Sequence, residues 1–89
     1  MIKKKVTIIN KLGLHARAAV KFVNLANRFT SSVKIEKSGN KIDGKSILGI
    51  LTLAAVQETE IILFVSGKDE QSVMDALVSL IKNKFDEAE

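Results

Sequence analysis

The chain has 89 residues, enough for one packed core and not for two, and its 46% apolar content is normal for a globular domain and argues against disorder. With no cysteine and a single histidine, it can form neither a disulfide nor a thiolate or multi-histidine metal site. A net charge of +4 raises nucleic acid as a partner, but Trp and Tyr are absent and only four Phe could stack on bases, so the lysines are read as a solubilising surface.

The N-terminal MIKKKVTIIN carries a basic cluster without the apolar run of a signal peptide, and no segment approaches the roughly 18 apolar residues of a membrane helix. A cytoplasmic protein without membrane insertion is expected, monomeric and folded as a single domain over 1–89. Lys4 to Ile9 reads as the first strand, ending at Asn10. A helix is predicted from about Ala16 to Arg28, with Ala19, Phe22, Val23, Ala26 and Phe29 forming its core stripe. Val33 and Ile35 alternate with Lys34 and Glu36, as in a half-buried strand. Ser38-Gly39-Asn40 turns the chain, and Lys41 to Asp43 returns as the second hairpin arm.

Ser46 is suited to cap a short second helix. At about 100° per residue, Ile50 and Leu53 share one side of it, while Ile47, Leu48 and Leu51 share another. A helix lying on one sheet buries a single side. If Ile50 and Leu53 face the core, the second trio forms an exposed apolar patch of the kind that marks a partner surface; a helix buried all round, or paired in a homodimer, is the alternative. Glu60 to Ser66 is the most strand-like run. A third helix begins near Asp69, carries Val73, Leu77, Leu80 and Ile81 inward and reaches about Lys84, and the acidic tail Asp86 to Glu89 is expected to fray. The order strand, helix, strand, strand, helix, strand, helix suits an antiparallel sheet with helices packed on one face, an α+β fold.

Two motifs carry candidate chemistry. GNKIDGKS, Gly39 to Ser46, matches a phosphate-binding loop pattern. The strand before it alternates in polarity and the chain is too short for a nucleotide-binding α/β domain, so the match is read as a turn glycine, a hairpin arm and a helix cap. GLHARAA is different. His15 stands just before the first turn of a helix, where backbone N–H groups lack intrahelical partners and the dipole end is positive. An anion on the imidazole would meet the amides of Ala16 and Arg17, with the Arg17 guanidinium in reach. Small residues at Ala16, Ala18 and Ala19 leave the helix start open. No acid–base partner accompanies it, which describes a group carrier better than an enzyme.

GLHARAA followed about thirty residues later by KSILGILTLAA resembles the histidine-containing phosphocarrier (HPr) family of the bacterial phosphotransferase system, across essentially the whole chain. The resemblance implies the family's open-faced β-sandwich, βαββαβα, with a four-stranded antiparallel sheet and three helices on one face. It implies that Enzyme I, drawing on phosphoenolpyruvate, phosphorylates His15 on a ring nitrogen, that Arg17 holds the phosphate, and that the group passes to an EIIA-type acceptor; no cofactor or metal is implied. The family's regulatory serine matches Ser46, the target in some bacteria of an HPr kinase/phosphorylase. Partners in the family dock on the helix face that here carries Val20, Asn24 and Asn27, together with Ile47, Leu48 and Leu51. Where the family usually has proline after the arginine, this chain has Ala18. NKLGLHAR is also similar to the nitrogen-related branch of the family. An alternative is a regulatory binding module of the same fold, acting through Ser46 and the second-helix patch; the presence of His15 counts against it.

Overall fold

The computed structural model describes residues 1–86. Four strands, β1 (Ile2–Thr7), β2 (Ser32–Lys37), β3 (Asn40–Asp43) and β4 (Glu60–Ser66), form one antiparallel sheet in the order β1-β4-β2-β3. Three helices, α1 (Ala16–Ala26), α2 (Ile47–Leu53) and α3 (Glu70–Lys82), cover one face. Alternation decides which face. Val6, Val33, Ile35, Ile61, Leu63 and Val65 are buried towards the helices. Phe64 keeps to the open face, where the Lys41 ammonium lies 3.9 Å above its ring.

β1 starts and ends two residues earlier than the Lys4 to Ile9 expected from sequence. Its register, Ile2 opposite Val65 through Thr7 opposite Glu60, follows the reach of β4. Beyond the ladder the Ile8 amide still donates to the Thr59 carbonyl at 2.9 Å, which keeps Ile8 in the core. β1 is an edge strand, and exposed lysines at 3, 4 and 5 guard it against pairing with another chain.

Gly44 directly follows the β2–β3 hairpin, whose two-residue loop, Ser38-Gly39, has positive φ at both positions, matching the strand twist. The phosphate-loop pattern is thereby consumed: residues 40–43 are a sheet strand, the Gly44 amide donates to the Val33 carbonyl at 2.8 Å, and Ser46 caps a helix of 7 residues.

α1 stops at Ala26, short of the predicted Arg28, because the chain tightens into turns there: the Arg28 amide bonds to Leu25 and that of Phe29 to Ala26. Phe29 and Leu80, expected inside, are only partly buried against the core. α3 likewise ends at Lys82, with Asp69 as its N-cap residue. It is followed by a turn, Lys84–Asp86, in left-handed backbone conformation. That turn places Phe85 fully in the core, and the Lys21 ammonium donates to its carbonyl at 2.6 Å. Of the tail expected to fray, Asp86 is the last residue of this turn, and residues 87–89 lie outside the described residues.

Candidate functional site

His15 is the N-cap of α1, with extended backbone at φ −78° and ψ 179°. Its carbonyl accepts the first helical bond, from the Ala19 amide at 2.9 Å. Its ring nitrogen Nδ1 accepts the Arg17 amide at 3.3 Å, as a capping side chain does. The acceptor role leaves the lone pair on Nδ1, and in the neutral ring it puts the proton on Nε2. Nδ1 thus lies at the positive end of the helix. The ring is half-buried, and Arg17 is exposed beside it.

The helix start is less open than the three alanines suggest. Ala16 is exposed, whereas Ala18 and Ala19 are fully buried and join Phe22, Val23 and Ala26 in the stripe packed on the core. An anion at His15 is thus approached from the Ala16–Arg17 side, with packed core behind it.

The segment before His15 is anchored on the far end of α2. The Leu14 amide donates to the Ala55 carbonyl at 2.8 Å. Gly13, at φ +69°, passes so close that a Cβ there would lie 2.8 Å from the Val56 Cα and overlap the Ala55 carbonyl, so only glycine fits. α2 is itself held at both ends. The Ser46 hydroxyl accepts the Gly49 amide at 3.0 Å. At the other end the Lys37 ammonium donates to the carbonyls of Leu53 and Ala54, at 2.9 and 3.3 Å, where the helix leaves acceptors unpaired.

The faces of α2 fall as the sequence predicts. Ile50 and Leu53 are buried, while Ile47, Leu48 and Leu51 are exposed, Leu48 most of all at 76%. On α1, which packs beside α2, Val20, Asn24 and Asn27 face solvent. Ser46 does not share the His15 cradle: it lies at the opposite end of α2 from Ala55, a helix length of roughly 10 Å away. Three contributors escaped the sequence reading. Leu12 and Val56, both exposed, lie on the two segments that meet at Gly13. Nothing in the sequence neighbours of Lys37 reveals that its ammonium reaches a helix end 16 residues on.

A family model described as the PTS HPr component phosphorylation site matches residues 2–83. The chain belongs to the HPr family. Phosphoryl carriage in the phosphotransferase system is the function of HPr and of this chain. It is 49% identical to the phosphocarrier protein HPr of Cupriavidus necator over the full length of both. It is 50% identical to that of Pseudomonas putida, again over the full length of both. The crystal structure of HPr-C-His from Thermoanaerobacter tengcongensis superposes with a TM-score of 0.96 at 42% identity, covering 100% of each chain. The four-stranded sheet with three helices is the HPr fold, as the motifs implied. Among the described residues no helix is long and apolar enough to cross a membrane.

Proposed function

We propose that Nδ1 of His15 is the atom that carries the phosphoryl group. The observation that bears this reading is the capping bond from the Arg17 amide, which holds the Nδ1 lone pair at the start of α1. In the transfer from phospho-Enzyme I, the Nδ1–P bond forms as the donor's own bond to phosphorus breaks, and the proton on Nε2 stays where it is. The new phosphate replaces the Nδ1 acceptor at the helix start, where the amides of Ala16 and Arg17 and the Arg17 guanidinium stabilise it. These groups are preorganised but few, so the group stays transferable to an EIIA-type acceptor.

The docking surface combines Val20 and Asn24 of α1 and its C-cap Asn27 with Ile47, Leu48 and Leu51 of α2, around the apolar patch that no element among the described residues covers. Ser46 serves as a regulatory site for a kinase such as the HPr kinase/phosphorylase. A phosphate there adds about two negative charges at the edge of that patch. The protein acts as a cytoplasmic monomer, which light scattering after gel filtration tests directly.

The deciding experiment is incubation with phosphoenolpyruvate and Enzyme I, followed by intact mass. One acid-labile phosphoryl group is expected on the wild type and none on His15→Ala. Labelling that survives the substitution refutes the assignment.

A further inference from the structure

Asn10 is fully buried, and with Ser31 it makes up the buried polar residues among those described. Burying a carboxamide costs several kcal/mol unless hydrogen bonds replace its water, and an apolar side chain of that size would fill the space without the cost. The bonds it makes show its use. Its Nδ2 donates to the Gly13 carbonyl at 2.8 Å, while the Gly13 amide donates back to the Asn10 carbonyl at 3.2 Å. Together they close the turn through Lys11 and Leu12 at both ends.

The Gly13 carbonyl and the Leu14 amide belong to one peptide plane, which is rigid. Its oxygen is held by Asn10 and its N–H by the Ala55 carbonyl at 2.8 Å. A plane held at both ends has its orientation set about the chain, and His15 follows it after the single residue Leu14. Leu14 is 4% exposed, so its own conformation is fixed by core packing. From Asn10 to the imidazole, no link is left to solvent.

We propose that Asn10 is a positioning residue for phosphoryl uptake: through the Gly13–Leu14 peptide it holds Nδ1 of His15 at the Arg17 amide, in line for attack. This rests on the reading that His15 is the carrier residue. Asn10 is itself buried and is not one of the α1 and α2 residues proposed to dock partners, so loss of the carboxamide is expected to affect the transfer step more than docking.

The test compares wild type with Asn10→Ala and with Asn10→Leu, which fills the volume without the donor. Steady-state transfer from phospho-Enzyme I is measured at varied carrier concentration. NMR of the unphosphorylated proteins follows the His15 Nδ1 and Arg17 amide resonances. In the folded variants kcat is expected to fall roughly ten- to a hundredfold, KM to stay within about twofold, and both resonances to move. A folded variant with unchanged kcat and unchanged resonances overturns the proposal, as does a loss confined to KM. Unfolding of both variants also overturns it, because Asn10 would then hold the fold and not the site. If the wild type takes no phosphoryl group, the carrier assignment fails, while the resonances, recorded without any donor, still judge the positioning of His15.

Discussion

Asp69, at the start of α3, accepts a hydrogen bond from the hydroxyl of Ser31, in the segment between α1 and β2. The amides of Thr30 and Ser31 also donate to that carboxylate, each at 3.1 Å, so one acidic side chain ties down the backbone of a neighbouring segment. The N-cap of α3 thus spends its side chain on tertiary contact instead of on its own helix.

The Ser31 hydroxyl above all holds the Asp69 carboxyl below its ordinary value; desolvation opposes it, and the amides of Thr30 and Ser31 add to the lowering. A carboxylate with a lowered folded-state pKa adds stability that is fully present above the unfolded value, about 3.9. That contribution is lost as pH falls through the folded value. Urea unfolding at a series of pH values is expected to show wild type more stable than Asp69→Asn near pH 6, with the gap closing as pH falls below about 4. A gap that stays constant down to pH 3 contradicts the assignment.

Ser46→Ala removes the cap that accepts the Gly49 amide and is expected to lower stability by about 1 kcal/mol. Ser46→Asp keeps a side-chain acceptor and places a negative charge at the helix start, so it is expected to recover most of that loss. Urea midpoints of the three proteins decide between this and a merely solvent-exposed serine.

Leu48 is the most exposed of the α2 apolar residues, at 76%, so Leu48→Asp is expected to change stability by less than about 0.5 kcal/mol. Its effect should fall on partner binding. Calorimetric titration with Enzyme I is expected to show affinity reduced at least tenfold, as for a residue at the centre of an interface. Full affinity would place the docking surface elsewhere.

Gly13→Ala combines a strained positive φ with overlap on the Ala55 carbonyl, and a loss of about 2 kcal/mol or more is expected. Gly39→Ala provides the contrast, because a Cβ there meets nothing within 4 Å and only the backbone conformation is penalised. Thermal unfolding of both variants separates the two contributions, with Gly13→Ala the more destabilised.

Local signals made much of the site legible. His15 and Ser46 each precede a helix, and a capping residue is set by a few neighbouring positions, so both caps were readable in order along the chain. The opposed faces of α2 followed from helical spacing within seven residues, and the result matches the observed burial of Ile50 and Leu53.

What sequence by itself determined, then, is what depends on near neighbours: the type of each element, which side of it is apolar, and where an imidazole meets a helix start. The tertiary structure alone decided what joins distant positions. The register of Ile2 on Val65, the left-handed turn that returns Phe85 to the core, the reach of Lys37 to the end of α2 and the peptide plane shared by Asn10 and Ala55 all arise from long-range packing. The physical reason is that backbone donors and acceptors must be satisfied somewhere once they are buried. Local sequence shows that they need partners, but which partners come into reach is known only when the chain has closed on itself.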